Sequence, residues 1–263
     1  MALKKYFFSL LVLIPLLGQA TVTEVIIYSD DSYNPYSYSD KNGKAIGIYT
    51  QIIEEAFKLM PEYKLKIIPL PWKRAMISLE KKEVIAAYPP YYRPNERPFI
   101  GEYSEPIMTE NIVVVARKDR ENYKRKSWPK DWLDKKIGIY LGTIDITGPE
   151  FSKAFHDKKV SVIETPGNEE NLLKLGRGEI DAYVNDRIAI LHTLKNLKRK
   201  KMWPKQFSEI EEVAIVSSEQ GYLAFAKPDP KFPYQKDLIL KFNNAINKMK
   251  KENRIKAIVD QSL

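Results

Sequence analysis

Few residues in this sequence can do chemistry on their own. It holds two histidines, His156 and His192, and no cysteine, which excludes a disulfide framework, thiolate metal sites and a cysteine nucleophile. His192 falls in the apolar helical pattern of Ile188 and Leu191, and His156 stands beside Asp157 and Lys158. Neither has a partner at ligand spacing, so no zinc or iron site is expected. Carboxylates abound, but no pair stands apart for acid–base work, and neither a nucleophile elbow nor a Gly-rich phosphate loop occurs. No enzyme and no cofactor are expected. Aromatic rings give the stronger signal. Tyr33, Tyr36 and Tyr38 crowd one polar loop, Trp72 opens a helix directly after a strand, and Tyr88, Tyr91 and Tyr92 follow another strand. Together they suggest a cleft that stacks on something flat or apolar.

The elements that position these rings follow from hydrophobic periodicity. Glu24 to Tyr28 reads as a strand and Ser29 to Gly43 as a loop. Ile48, Ile52, Ala56 and Met60 recur every four residues as one face of a helix. Leu65 and Ile67 mark a second strand, Trp72 to Lys82 a helix and Val84 to Ala87 a third strand. This βαβαβ order implies a mostly parallel sheet with ligand-accessible loops at its strand ends. The continuous apolar run Asn111 to Ala116 predicts a strand buried on both faces. The pattern then restarts at Ile137-Gly138-Ile139-Tyr140, which echoes Val25-Ile26-Ile27-Tyr28. Strands are expected at Val213 to Val216 and Gly221 to Ala226, followed by an amphipathic helix from Lys236 to Lys250. The economical arrangement is two doubly wound α/β lobes joined by a two-strand hinge, with a cleft between them. Residues 21–110 and 217–263 would form one lobe, and 111–216 the other.

At 263 residues, with 44% hydrophobic and 29% charged residues, the chain is long enough for this layout. Lys4 and Lys5, the apolar run Tyr6 to Leu17 and Gly18-Gln19-Ala20 have the three-part layout of a secretory signal peptide, with cleavage expected after Ala20. Without a cysteine the exported protein cannot be a lipoprotein; a Gram-negative periplasm is the expected compartment. The net charge is +9, with one cluster from Lys195 to Lys205 around Trp203. This cluster reads as a solvated helix end and loop rather than a nucleic-acid patch, and it could contact anionic lipid or a partner.

The run Tyr33-Asn34-Pro35-Tyr36-Ser37-Tyr38, with Asn42-Gly43-Lys44 and Gly47-Ile48, resembles the opening loop of bacterial periplasmic solute-binding proteins of family 3, the type II "Venus flytrap" proteins. Further matches follow in order: Trp72 to Leu79, Asn95-Glu96-Arg97 with Tyr103-Ser104-Glu105-Pro106, Lys136 to Ile139 with Leu141-Gly142-Thr143, and Gly178 to Ala182 leading to Asp186. The resemblance implies a two-lobed binding protein, monomeric and free of nucleic acid, that passes a small ligand, an amino acid or related carboxylate, to the permease of an ABC transporter. It also implies roles. Arg97 would grip the ligand carboxylate with its planar fork, and Gly142 and Thr143 would offer N–H groups and a hydroxyl to the same group. Asp186 would take the ammonium, although Asp186 also stands where the following helix needs an N-cap. Tyr33 and Trp72 would sandwich the side chain, Tyr92 would join the aromatic lining, and Asp30 would meet a polar tail. The chain departs from the family pattern at Pro94 and at Tyr88-Pro89-Pro90-Tyr91-Tyr92, where proline removes backbone donors. Tyr49 and Gln51 replace acidic residues and read as packing or surface changes. The departures leave open a dehydratase-like enzyme on the same fold; a role in informing a membrane sensor is also compatible.

Overall fold

The computed structural model describes residues 22–141, 143–205, 207 and 209–262. The expected signal segment, residues 1–20, lies outside the described residues, and so does Gly142. The chain runs β1 (Thr23–Asp30), β2 (Ser32–Tyr33), β3 (Ser37–Ser39), β4 (Ala45–Ile46), α1 (Ile48–Phe57), β5 (Tyr63–Leu70), α2 (Trp72–Glu80), β6 (Ala86–Tyr88) and β7 (Ile100–Tyr103). It continues through β8 (Met108–Arg117), β9 (Lys136–Tyr140), α3 (Pro149–His156), β10 (Ser161–Thr165), α4 (Asn168–Arg177), β11 (Ala182–Asp186) and α5 (Arg187–Arg199). Last come β12 (Ile210–Gly221), β13 (Ala224–Ala226), α6 (Gln235–Lys251) and α7 (Arg254–Ser262).

Two five-stranded sheets result, ordered β5-β1-β6-β13-β7 and β10-β9-β11-β8-β12. Each is parallel except for one strand, β13 in the first and β8 in the second. The chain therefore passes between sheets twice, between β7 and β8 and between β12 and β13, and these passages lie side by side because Met108 pairs with Gly221. The two-lobed α/β architecture read from the sequence is the one observed.

Strand β8 shows why an unbroken apolar run was needed. Ile112, Val114 and Ala116 pack with Trp132 and Phe151 on one face, while Val113 and Val115 pack with Leu172, Leu175 and Leu197 on the other. In the first lobe, Ile48, Ile52, Ile53, Ala56 and Phe57 of α1 meet Leu238, Phe242 and Ile246 of α6 in one core. None of the described helices is long and apolar enough to cross a membrane.

Two readings need correction. Residues Val213 to Gly221 do not hold a strand, a gap and a new strand: β12 is one twelve-residue strand with two register shifts against β8. It is an edge strand whose side chains are mostly only partly buried, so no clean alternation marked it. The polar loop after β1 is also more ordered than expected, because β2, β3 and β4 form a small sheet of their own.

Helix ends show a recurring local compromise. Helices α2, α3 and α5 all stop with a lysine in the left-handed region, Lys82 (φ 56°), Lys158 (φ 60°) and Lys201 (φ 58°). Each turn closes with the paired bonds of a Schellman motif, as in Lys158 N–H to Phe155 O and Lys159 N–H to Ala154 O, both 2.9 Å. Glycine adopts this conformation without the Cβ penalty. Lys158→Gly is therefore expected to raise the unfolding free energy by about 0.5–1 kcal/mol, after its own unfolded-state entropy is subtracted. Denaturant unfolding checks this; an unchanged or lowered midpoint contradicts it.

Candidate functional site

The site is built on the turn that follows β1. Pairing of Tyr33 with Ser37 leaves Asn34-Pro35-Tyr36 as the tip of a tight hairpin. That tip sits on the start of α1: Ile48 N–H donates to Pro35 O (3.1 Å) and Tyr49 N–H to Tyr36 O (2.9 Å), satisfying N–H groups that a helix start leaves free. The approach is so close that a Cβ on Gly47 would lie 2.5 Å from Tyr36 O, and Gly47 has φ +115°. The packing stacks Tyr33 on Tyr36, with ring centres 4.9 Å apart, and sets Tyr36 against Tyr49.

These rings converge on Glu110, the third residue of β8, which is only 1% exposed. Its Oε1 accepts from the Tyr49 hydroxyl at 2.6 Å, and its Oε2 accepts from Tyr91 at 2.7 Å and from Tyr33. The Tyr33 and Tyr91 hydroxyls are also 2.9 Å apart. Burial pushes the Glu110 carboxyl up to about 7 against the three hydroxyl donors, which favour the ionised form. Tyr49 touches the other connecting strand as well, since a Cβ on Gly221 would lie 1.8 Å from its hydroxyl oxygen. A single tyrosine of the first lobe thus holds both strands that lead into the second.

Asp186 ends β11 and reaches the same region from the second lobe. Its Oδ1 accepts from Ala189 N–H at 2.8 Å and so caps α5. It is 4% exposed, and neither its Oδ2 nor the buried Tyr36 hydroxyl meets a well-formed hydrogen-bond partner. The two groups still face each other closely enough that Tyr36 favours the ionised carboxylate, while burial, the larger effect, pushes Asp186 up to about 6. Ile188 of α5 packs into the first lobe's core. Next to it, Arg187 is held by Glu212 of β12 through two bonds of 2.7 Å.

Arg97 lies on the loop after β6. Its Nη1 donates to Tyr91 O at 3.3 Å, and its guanidinium lies 5.7 Å from the centre of the Trp72 ring, over its face. Half-buried, it has no ion-pair partner among the described residues. Tyr91 therefore links the two groups, with its hydroxyl on Glu110 and its carbonyl under Arg97. The neighbouring Arg93 grips Glu219 of β12 with bonds of 3.1 and 2.7 Å, a second tie between this loop and the passage between lobes.

The structure thus brings Arg97 and Trp72 together, links Tyr33 to Arg97 by way of Tyr91, and sets Asp186 near Tyr33, Tyr36 and Glu110. Other expected site residues stand elsewhere. Tyr92 is 56% exposed and packs on Tyr103 and Tyr222, outside that group. Tyr88 is fully buried and spends its hydroxyl on Thr50 at 2.8 Å, so it lines no cleft. The Asp30 carboxylate accepts from the backbone and hydroxyl of Ser32 in a local turn. Thr143 donates its hydroxyl to Tyr140 O at 2.7 Å within the turn after β9. Of the two positions read as packing or surface changes, Tyr49 is the packing one, a buried member of the Glu110 cluster. The sequence reading missed Glu110 as a site residue. Its parity was the available signal, since it shares the inward face with Met108, Ile112 and Val114. Among the described residues no group of three or more His, Cys, Asp or Glu side chains could hold a metal ion.

Comparison with known proteins places this geometry. The chain is 23% identical over 227 residues to the probable amino-acid-binding protein YxeM of Bacillus subtilis, covering 86% of this chain and 79% of that one. Its fold is similar to the L-cystine solute receptor of Neisseria gonorrhoeae in its unliganded open conformation, with TM-score 0.69, 21% identity and coverage of 92% and 93%. It is equally similar to the second substrate-binding domain of Lactococcus lactis GlnP in open conformation, with TM-score 0.69, 19% identity and coverage of 91% and 95%. The fold is the type II periplasmic-binding-protein fold, and the family is one of binding proteins rather than enzymes. With residues 25–263 matching its model, the chain belongs to the bacterial extracellular solute-binding proteins, family 3.

Proposed function

We propose that this protein captures an amino acid or a closely related small carboxylate between its lobes and presents it to the permease of an ABC transporter, working in a Gram-negative periplasm after removal of residues 1–20. Arg97 carries this reading: a half-buried guanidinium without a carboxylate partner among the described residues, oriented by Tyr91 O and the Trp72 face, has N–H groups for an incoming carboxylate. Asp186 supplies an anionic counterpart for an ammonium, and Tyr33 and Trp72 supply the apolar walls. The relatives named as amino-acid-binding and L-cystine proteins support the same class. Ligand contact with both lobes favours the closed arrangement, which is the form a permease would read.

The test is thermal unfolding of protein stripped of carried-over solute, against amino acids, small carboxylates, amines and short peptides. A ligand at about 100 times its dissociation constant adds roughly 2.7 kcal/mol. Arg97→Ala should weaken the best hit at least about tenfold with little change in the unliganded midpoint. Unchanged affinity would remove Arg97 from the site. A panel that responds only to amines would count against a carboxylate ligand and turn attention to Pro89, Pro90 and Pro94, which lack backbone donors.

A further inference from the structure

Helix α5 has one end in the site and the other in a face that ligand capture does not explain. From Arg187 to Lys205 the chain carries seven basic residues and no acidic one. Leu191, Lys195 and Lys198 recur at helical spacing on the solvent side, and the left-handed turn at Lys201 sets Met202 after them. Met202, 44% exposed, is set among these lysines, and Leu191, 42% exposed, stands on the same face one turn before Lys195. Lys200 pairs with Glu169 at 3.1 Å, whereas Lys195, Lys198, Arg199, Lys201 and Lys205 have no ion pair among the described residues. Leu197 and Trp203 pack inward on the second lobe's core, so the surface has a fixed backing.

We infer that this end of α5 docks on an anionic lipid surface. Lysines beside exposed Leu and Met form the combination that an interface attracts, the charges meeting headgroups while the apolar side chains enter the acyl boundary. An acidic polypeptide is the alternative occupant, and the experiment separates the two. Docking through the second lobe's outer end leaves the first lobe unattached. The protein would then be held close to the membrane, where a permease sits, independently of whether ligand is bound.

The experiment is co-sedimentation of the protein with vesicles of phosphatidylcholine alone or enriched in phosphatidylglycerol, compared with Lys198→Gln/Lys201→Gln/Lys205→Gln. A control, Lys73→Gln/Lys81→Gln/Lys251→Gln, removes three exposed charges from the first lobe. Each membrane-facing lysine is worth about fivefold in partition, so the first variant should bind anionic vesicles on the order of a hundredfold less, whereas the control stays near the parent. Binding of the parent should also fall steeply with added salt. Equal melting points establish that both variants are folded. All three proteins are prepared from residue 21 onward, the expected exported form, so that the apolar run Tyr6 to Leu17 does not itself bind vesicles. Equal losses in the two variants, or no preference of the parent for anionic vesicles, overturn the proposal. It is also overturned if the parent ignores vesicles but is retained by polyglutamate, since the partner is then an acidic polypeptide.

Discussion

Glu110→Ala is expected to lower the unfolding free energy by about 4 kcal/mol near pH 5.5, a drop in melting temperature of roughly 10 °C for a chain of this size. The carboxyl accepts from Tyr33, Tyr49 and Tyr91. Without it Tyr33 and Tyr91 keep each other, because their hydroxyls already lie 2.9 Å apart. Tyr49 keeps nothing: it is fully buried between Tyr36 and Gly221, and its stranded hydroxyl costs about 1–3 kcal/mol. The cavity left by the side chain adds a similar amount. Removing the stranded donor as well, in Glu110→Ala/Tyr49→Phe, should recover about 1–2 kcal/mol relative to the single variant. Denaturant unfolding of the four proteins in this cycle measures it. A loss below about 1 kcal/mol for Glu110→Ala would mean that water reaches Tyr49 and that the cluster is not the dry anchor described here.

Most of the fold was legible because its two sheets depend on buried strands, and buried strands leave strong sequence marks. Asn111 to Ala116 reads as a strand covered on both sides, as Ile112 to Ala116 are, and α1 and α6 repeat apolar residues at helical spacing because both face one core. What stayed hidden was structure whose order comes from its partners. Strand β12 is only partly buried over most of its length and turns polar after Val216, and its extent is set by β8, not by its own composition. Strands β2 to β4 are two or three residues long, too short for any period to show.

The candidate site was legible in its parts but not in its connections. Arg97, Trp72, Tyr33 and Asp186 could be named one by one, and the structure sets the first two against each other and links Tyr33 to Arg97 only by way of Tyr91. Tyr91 joins them through two different atoms, its hydroxyl and its carbonyl, and a residue type cannot reveal that both are used. Tyr92, its neighbour, looks the same in sequence yet faces outward, because extended chain alternates its side chains. Glu110 stands just before the apolar run Asn111 to Ala116 and carries no mark of burial of its own. Its burial is stabilised by tyrosines that lie 77, 61 and 19 residues away along the chain.

Stability should rise as the pH is lowered from about 8 to about 5, the opposite of ordinary acid weakening. Burial raises the Glu110 carboxyl from 4.5 to about 7 and that of Asp186 from 3.8 to about 6. A carboxyl raised in the folded state binds its proton more tightly there than in the unfolded chain. Its contribution is therefore complete below the unfolded value and is lost as the pH climbs through the folded one. For Glu110 the window runs from 4.5 to about 7 and is worth on the order of 3 kcal/mol. Asp186 acts in the same direction at lower pH, but its charge is one of the causes that raise Glu110, so the two contributions do not add. Surface carboxylates such as Asp157, held below the usual range by Lys153 and Lys159, act in the opposite sense and restore acid weakening below that window. Melting temperature measured across this range should show a maximum near pH 5. In Glu110→Gln the slope between pH 5 and 8 should flatten, leaving the part due to Asp186. A parent protein whose stability is level or falling from pH 8 to pH 5 would mean that Glu110 is ionised at all these pH values, its three tyrosine donors outweighing its burial.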